Sequence, residues 1–387
     1  MKNKTILFIP SNENHVRMFY SILEHLQGYN VLFLSQGKYK NEGAEKTLAE
    51  LGIKFTKFDQ YEKNNPEFVI KKENIGVVVI GNDSDVIPQW FINYSNKARI
   101  PTILIQDGVM VSIKTNDPSF LEHLRFRLQN FHPNLLALSA RLTASKQYKK
   151  LTLGMGGCTQ IHVWGKTSQS YFIDKGIDAN SIVITGNPKL DGMKNVKQSK
   201  NLGEKIILYA PTDLVRCNII EPETMDKLTT DLCSTVSSLE NVKLIIKHHP
   251  REDSKFYIAL PGRFGSKIEI SDKEICSLMG LSDVVITDLS SVAIEALAAK
   301  KPVIIYLPNI EKFTDSNYFP NDLIRKNVFL YACDKKSLFE QIDKILHSDT
   351  STLEMHMENA AKDYLGLADD KASLRSANNI IKLLNES

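Results

Sequence analysis

The sequence predicts an α/β protein built of two doubly wound domains in tandem. Short apolar runs alternate with amphipathic stretches along almost the whole chain, and this alternation breaks down once, near the middle. Strands that alternate with helices in this way are typical of parallel sheets covered by helices on both faces. At 387 residues the chain is also long enough for two domains of ordinary size.

The first domain is predicted to span residues 1–190. Its apolar runs, each a candidate strand, are 5–9, 31–34, 77–80, 102–105, 161–164 and 182–185. Between the first two runs, apolar residues such as Val16, Phe19 and Ile22 recur at helical spacing. The stretch 112–150 is less regular, and no element is predicted there.

A polar segment rich in Gly and Lys separates the two domains. Residues 191–204 lose all apolar periodicity and are predicted to form a linker. The second domain, 205–359, repeats the pattern with candidate strands at 205–210, 242–247, 267–270, 283–287, 302–306 and 327–331. The last helices are expected to begin near Asp334, whose side chain suits a helix N-cap.

Composition and charge indicate a soluble globular protein. Apolar residues make up 42% of the chain and the net charge is only +3, so no general nucleic-acid surface is expected. The five cysteines form no CxxC pair, and therefore neither a disulfide framework nor a zinc site is indicated. The first apolar run is too short for a signal-peptide core, and no window approaches the roughly 18 apolar residues of a membrane span. We expect a cytoplasmic protein whose membrane contact, if any, is peripheral.

Polar residues directly follow several of the candidate strands. Ligands of open parallel sheets bind outside the carboxyl ends of the strands, so these residues are the candidates for function. In the second domain they lie at 211–213, 248–251 and 288–291. Their hydroxyls, imidazoles and guanidinium suit an anionic, hydroxyl-bearing ligand such as a nucleotide diphosphate.

Ser290 and Ser291 stand at a strand-to-helix turn. Unpaired backbone N–H groups at a helix start favour an anion, and serine adds a hydroxyl donor, although an ordinary N-cap is the simpler interpretation. Glu295 lies outside capping-box spacing, within an apolar helix where an unpaired carboxylate would be costly. The hydroxyls of a ribose would satisfy it, and a neighbouring lysine is the alternative.

His249 and Arg251 follow another strand of the second domain, just after Lys247. Cationic and imidazole groups at this edge could meet a leaving phosphate, or His249 could simply end its strand. The adjacent histidines, His248 and His249, are poor metal ligands because neighbours on an extended chain point in opposite directions.

In the first domain, Asp107 follows a strand and precedes a glycine. Its carboxylate is a candidate general base for an attacking hydroxyl, and an Asx-type turn is the plain alternative. His15 could cap a helix or contact an acceptor, and Gln106 is assigned to the acceptor side with it.

Two common ligand-binding motifs are not supported. No GxGxxG follows the first strand and no Walker A motif exists, which argues against a dinucleotide oxidoreductase and a P-loop enzyme. Asp83-Ser84-Asp85 matches the short DxD metal clamp of some sugar transferases, but the two-domain layout disfavours that interpretation. No metal and no cofactor are therefore expected.

The second domain resembles the donor domains of the GT-B superfamily, and particularly the CDP-glycerol glycerophosphotransferase family. The segments that carry the resemblance are ILYAPT (207–212), KHHP (247–250), SDVVITDLSS (282–291), KPVIIY (301–306) and LPNIEKFTDSNYF (307–319). The resemblance implies two Rossmann-like domains that face a cleft, with the C-terminal helices (360–387) returning to the N-terminal domain.

The resemblance also implies site residues. Ser290 and Ser291 would bind the donor diphosphate, His249 would contact the donor phosphate, and Thr212 would lie nearby. In the first domain only IQDG (105–108) and ITGNPKLD (184–191) look like counterparts in surface-carbohydrate enzymes. The segment ITGNP is also similar to the domain junction of non-hydrolysing UDP-GlcNAc 2-epimerases.

The chain departs from the glycerophosphotransferase pattern at three positions. Leu289 and Glu295 stand where that family usually has Tyr and Asp, and Asp107 stands in place of a His. These departures favour a sugar donor over a glycerol-phosphate donor.

The sequence therefore predicts a metal-independent, inverting glycosyltransferase of cell-surface glycan synthesis. The donor would be a CMP/CDP- or UDP-activated sugar, and the acceptor a glycan or lipid-linked glycan of capsule, lipopolysaccharide or teichoic-acid type. Asp107 would deprotonate the acceptor, while Lys247, His249 and the two serines stabilise the leaving diphosphate. The alternatives are a CDP-glycerol-type glycerophosphotransferase, a UDP-GlcNAc 2-epimerase and a non-catalytic glycan-assembly protein.

Overall fold

A computed structural model describes most of the chain. The described residues are 4–40, 42–61, 64–109, 153–192, 203–249, 252, 254–313, 319–367 and 369–387. They divide into two compact units. The first contains Lys4–Asp107, 153–191 and Leu365–Ser387, and the second contains Gly108 and the described part of Gly192–Tyr364.

The first unit is a parallel sheet flanked by helices. Its strands are β1 (Thr5–Ile9), β2 (Asn30–Ser35), β3 (Phe55–Lys57), β4 (Ile75–Ile80), β5 (Thr102–Ile105), β6 (Gln160–Val163) and β7 (Ile182–Ile184). Its helices are α1 (Glu13–Leu23), α2 (Ala44–Glu50), α3 (Pro66–Lys72), α4 (Val86–Ala98), α5 (Lys166–Asp174) and, at the end of the chain, α15 (Ala372–Glu386).

The strand order of the first sheet is β3-β2-β1-β4-β5-β6-β7, and all neighbouring strands are parallel. The connections reverse direction between β1 and β4, so this is the point at which a doubly wound sheet opens a crevice at its carboxyl edge. Helix α1 follows β1 directly, and the Asn12 side chain caps it by accepting a hydrogen bond from the His15 N–H at 2.9 Å. The turn thus places His15 close to that crevice.

The C-terminal helix α15 is part of the core of the first unit. Ala377 and Ile380 are fully buried among residues of β1, β4 and α1. A Cβ placed on Gly76 of β4 would lie 2.6 Å from Leu384, which shows how closely the helix packs on the sheet. The fold of the first unit therefore depends on residues from both ends of the chain.

The second unit is also a helix-flanked parallel sheet. Its strands are β8 (Lys205–Tyr209), β9 (Val242–Ile246), β10 (Ile268–Ile270), β11 (Val284–Thr287), β12 (Val303–Tyr306) and β13 (Leu330–Ala332). Its helices are α6 (Pro222–Ser238), α7 (Ser254–Ile258), α8 (Leu260–Phe264), α9 (Ile275–Leu281), α10 (Val292–Ala298), α11 (Ile310–Phe313), α12 (Asn321–Arg325), α13 (Lys335–His347) and α14 (Ser351–Leu365).

The order in the second sheet is β10-β9-β8-β11-β12-β13, again with all strands parallel. In this sheet the connections reverse direction between β8 and β11, so the residues that follow these two strands line the expected ligand crevice. Helix α13 begins where predicted, because Asp334 accepts a hydrogen bond from the Ser337 N–H at 2.8 Å.

The predicted class of two Rossmann-like α/β domains is confirmed. All twelve candidate strands correspond to observed ones, and the short edge strand β3 was not predicted. The last strand begins at Leu330, three residues later than expected. Most of the predicted 191–204 linker, and the unassigned stretch 112–150, lie outside the described residues. Within the described ranges no helix is both long and apolar enough to cross a membrane.

Candidate active site

In the first unit, a histidine and an aspartate meet at the carboxyl edge of the sheet. His15 in α1 and Asp107 after β5 are 2.8 Å apart, from Nε2 to Oδ2. The His15 side chain is 1% exposed, whereas that of Asp107 is 28% exposed. The structure thus joins two residues that the sequence had assigned to separate roles.

A backbone hydrogen bond fixes the protonation of the His15 ring. The Ser11 N–H donates to Nδ1 at 3.0 Å, so Nδ1 carries no proton and Nε2 is the nitrogen that donates to Asp107. Ser11 is itself buried, and its hydroxyl accepts a hydrogen bond from Gln36 at 2.8 Å. The imidazole is therefore a neutral donor held from both sides.

The environment of Asp107 favours its ionised form. Burial raises the pKa of this carboxyl, but the interactions with His15, the Asn12 side chain and the backbone outweigh it and hold the pKa below its usual value. Asp107 is thus a carboxylate at neutral pH, with part of its surface open to a solute.

Gly81, which follows β4, leaves space for the His15 ring. A Cβ at this position would lie 2.5 Å from Cδ2 of His15, a distance that real structures do not show. The φ angle of Gly81 lies outside the left-handed region, so its backbone does not require glycine. The close approach of the His15 imidazole therefore explains why a glycine stands at position 81.

The structure corrects the acceptor-side assignment of Gln106. This side chain is fully buried, and its Oε1 accepts the Trp164 N–H at 3.0 Å while its backbone carbonyl accepts the indole N–H at 2.9 Å. Gln106 ties β5 to the end of β6. Since side chains alternate along a strand, it points inward where Asp107 points to the edge.

Asp83 of the DxD-like segment has a structural explanation. It is buried and accepts the N–H groups of Gly154 at 2.9 Å and Gly156 at 2.7 Å. Asp85 instead pairs with Lys40 at 2.9 Å. Among the residues whose structure is described, no cluster of three metal-ligating side chains is found.

In the second unit, Asp288 links the ends of the two central strands. It follows β11 and accepts the Thr212 N–H at 2.9 Å, and the Thr212 hydroxyl donates to the same carboxylate. Asp288 is only 3% exposed, and burial, reinforced by Glu252, raises its pKa to about 7 although Thr212 opposes the change. Thr212 therefore lies at the predicted edge, with its donors directed to Asp288.

His249 follows β9 at the same edge and is held by Glu252. The His249 N–H donates to Glu252 at 2.8 Å, and the Tyr257 hydroxyl donates to the other carboxylate oxygen at 3.0 Å. The His248 ring stacks on Tyr257 with centroids 5.1 Å apart, so it packs against the protein and does not face the sheet edge. This turn leaves His249 half-buried.

The other residues that the sequence assigned to the donor lie after β9 and around the start of α10. Lys247 directly follows β9 and is half-buried, and Arg251 lies outside the described residues. Ser291 occupies the N-cap position of α10 without a side-chain cap bond, and Ser290 Oγ accepts the Val292 N–H at 3.3 Å. Glu295 is 3% exposed on the inner face of α10, and its role toward a ribose stays a prediction.

The strand-end rule thus found most of the polar residues at both edges. It included Asp288 within 288–291 but gave no role to Asp288, Ser11 or Gly81, and it missed Glu252. These four residues hold the others in place. Asp288 carried the signal of a polar residue directly after an apolar run, but nothing in the sequence pairs it with Thr212. Glu252 gave no such signal, because it lies beyond the strand end in an irregular turn.

Comparison with known proteins identifies the family. Residues 167–382 match the family described as CDP-glycerol:poly(glycerophosphate) glycerophosphotransferase, and this match covers more than half of the chain, including every strand of the second sheet. The chain belongs to this family. The predicted resemblance of the second domain is confirmed.

A curated relative is similar over part of its length. The teichoic acid poly(glycerol phosphate) polymerase of Bacillus spizizenii is 30% identical over 149 residues, which cover 38% of this chain and 37% of the polymerase. The chain spans only 31–37% of the length of the curated relatives it matches.

Solved structures share the fold over nearly the whole chain. The wall teichoic acid polymerase TagF superposes with a TM-score of 0.62 and 15% identity, covering 100% of this chain and 90% of that one. The Staphylococcus aureus MnaA–UDP structure gives a TM-score of 0.62 and 14% identity over 99% of this chain and 97% of that one. The GT-B fold predicted for the family is thereby established.

Proposed function

We propose that this protein is a nucleotide-dependent transferase of cell-wall glycopolymer synthesis that moves a polyol phosphate from a CDP-activated donor to a hydroxyl acceptor. The observation that carries the proposal is the family match over 167–382, since it spans the sheet edge formed by Thr212, His249 and Asp288. The 30% identity to a poly(glycerol phosphate) polymerase supports the same donor class.

The proposal gives each unit one half of the reaction. At the edge of the second sheet, Lys247, His249, Ser290 and Ser291 would bind the donor phosphates, with Thr212 and Asp288 fixing the loops that carry them. In the first unit, Asp107 would accept the proton of the acceptor hydroxyl as that oxygen attacks phosphorus. The phosphate–phosphate bond of the donor breaks and CMP leaves.

Sugar transfer from a nucleotide-sugar is the second candidate. It is favoured by Asp107, which stands where the resemblance implied a histidine, and by the buried carboxylate of Glu295 in α10. In that case the acceptor oxygen attacks the anomeric carbon, and a nucleoside diphosphate leaves when the donor is UDP-activated. The similarity to MnaA, at 14% identity, concerns the fold.

Donor identity is tested by the product that each donor releases. The purified chain is incubated with CDP-glycerol, CDP-ribitol, CMP-sugars or UDP-sugars, with and without a polyol-phosphate or glycan acceptor, and the nucleotide products are separated by chromatography. Acceptor-dependent CMP from a CDP-polyol supports the proposal. Release of UDP from a UDP-sugar supports the second candidate, epimerisation without acceptor supports an epimerase, and binding without turnover supports a non-catalytic protein.

The donor site is tested by a double variant. Ser290→Ala with Ser291→Ala should weaken CDP binding by roughly ten- to a hundredfold, because two hydroxyl donors to phosphate are lost. Ser351→Ala, at the exposed start of α14 in the same unit, is the matched control. Equal CDP titrations for the double variant and the control would remove the serines from the donor site.

The proposal requires neither a cofactor nor a metal beyond the activated donor. Turnover should therefore persist in EDTA. A lipid-linked acceptor would bring the protein to a membrane surface, and flotation with vesicles that contain such an acceptor measures this contact.

A further inference from the structure

We infer that His15 is a positioning residue for Asp107, and that the carboxylate, not the imidazole, receives the acceptor proton. This inference rests on the proposed transfer to a hydroxyl. His15 keeps one proton, on Nε2, and donates it to Oδ2 of Asp107 throughout the reaction. It therefore does not contact the acceptor, although the sequence had suggested such a contact.

The hydrogen bonds around the ring determine this assignment. A general base needs a free nitrogen lone pair directed at the substrate. Nδ1 of His15 already accepts the Ser11 N–H at 3.0 Å, and Nε2 faces Asp107 at 2.8 Å. Both nitrogens are thus engaged with protein groups, and the ring is 1% exposed. An acceptor hydroxyl cannot reach either nitrogen without displacing one of these partners.

The ring has few other neighbours that could change its charge. Of the described residues, the ionisable side chain in contact with His15 is Asp107. Other groups beside the ring are the Ser11 N–H, the Asn12 amide, the Gly81 backbone and the Phe19 ring, whose centroid is 6.1 Å from that of the imidazole. The protonation of the pair is therefore governed by the two partners themselves.

The arrangement differs from a buried structural pair. A purely structural pair would have both members inside, but the Asp107 side chain is 28% exposed while its donors His15 and Asn12 come from α1 and its cap. Gly81 makes room for the imidazole although its own backbone does not need glycine. The local structure thus holds the Asp107 carboxylate through its hydrogen bond with His15 and leaves part of it open to solvent.

The proton balance of the step follows. The acceptor O–H bond breaks, its proton moves to Asp107, and its oxygen forms the new bond to the donor while the nucleotide leaves. Asp107 then returns the proton to water. His15 neither gains nor loses a proton.

Three variants distinguish positioning from base catalysis. Asp107→Asn should lower kcat/KM by about 10²- to 10⁴-fold, the usual contribution of a general base. His15→Gln places an uncharged N–H donor near the position of Nε2 and should retain activity within roughly tenfold, whereas His15→Ala should lose roughly ten- to a hundredfold. In His15→Ala the acidic limb of the kcat/KM profile should also move to higher pH, because Asp107 loses its donor. The control is His25→Gln, because His25 is an exposed histidine just after α1 whose ring contacts Ser373 at 3.1 Å and not Asp107.

A spectroscopic measurement separates this inference from the proposed function. With ¹⁵N-labelled histidine at pH 7.5, His15, assigned by its absence in His15→Gln, should show the neutral Nε2–H tautomer whether or not any donor is turned over. A charged ring, an Nδ1–H tautomer, or a His15→Gln variant as inactive as Asp107→Asn would overturn the inference. Absence of turnover with every donor would refute the proposed function alone.

Discussion

The C-terminal helix of the first unit is capped by a residue far away in the sequence. Asp191 accepts the N–H of Ala372 at 3.1 Å and that of Ser373 at 2.7 Å, and the Ser373 hydroxyl donates to it as well. Lys371, at the N-cap position of α15, makes no side-chain cap bond. The helix start therefore depends on one carboxylate that lies 181 residues earlier than Ala372.

Replacing Asp191 with alanine should loosen α15 in particular. Loss of an N-cap costs about 0.5–2 kcal/mol, and hydrogen bonds to a charged group are worth about 1.5–3 kcal/mol each. Because three donors lose one shared partner and water replaces part of it, we expect the opening free energy of α15 to fall by about 2–4 kcal/mol. Asp191→Asn keeps one acceptor oxygen, so in this variant the opening free energy of α15 should fall by about half as much.

Hydrogen exchange of peptic fragments measures this opening directly. A fall of about 2–4 kcal/mol corresponds to exchange roughly 30- to 1,000-fold faster in α15. Strand β4, against which α15 packs, should also lose protection, while β11 of the second unit should keep it. The control is Asp363→Ala, an exposed aspartate of α14. Unchanged exchange of α15 in Asp191→Ala, or equal loss in the control, would refute this account of the cap.

Two further predictions concern the sheet edges. The folded-state pKa of Asp288 is about 7, above its ordinary 3.8, so the folded protein holds this proton at pH values where the unfolded chain releases it. The free energy of unfolding therefore falls as the pH rises from 3.8 toward about 7, by ~4 kcal/mol for the full shift. Asp288→Asn should remove that fall in urea unfolding compared at pH 5 and pH 8, and parallel profiles for the two proteins would contradict it. Gly81→Ala should cost about 1–3 kcal/mol and change the His15 ¹⁵N signals, because its Cβ would meet the ring at 2.5 Å. Gly262→Ala, which has open space around it in helix α8, should leave the His15 signals unchanged and should not lower the stability.

Apolar periodicity predicted most of the fold because the strands are central. Residues of β4, for example, are buried along the whole strand, so the run is unmistakable in the sequence. Strand β3, Phe55–Lys57, is three half-buried residues at the edge of the sheet. A strand with one neighbour and little burial has no apolar run to reveal it, and it was missed for that reason.

The candidate site was predictable in its residue types but not in its pairs. Rules for strand ends point to His15 and Asp107 separately, yet the two are 92 residues apart in the sequence, and their contact depends on how two loops bend at the sheet edge. Thr212 and Asp288, 76 residues apart, pose the same problem. Gln106 was assigned wrongly because adjacent residues at a strand end point to opposite sides, and only the packing of Trp164 decides which one faces inward.

The two units give an aspartate at a strand end opposite properties. Asp107 is partly exposed, and its interactions with His15, Asn12 and the backbone hold its pKa below the usual value. It is therefore ionised, and as a general base it would accept a proton while an acceptor hydroxyl attacks the donor. Asp288 is buried, its acceptors are used by Thr212, and its pKa is raised to about 7. The two environments push the pKa values of these carboxyl groups in opposite directions, and they also differ in exposure, since only Asp107 can meet a solute. Asp107 is therefore the candidate base, whereas Asp288 joins the loops that follow β8 and β11 through its hydrogen bonds with Thr212.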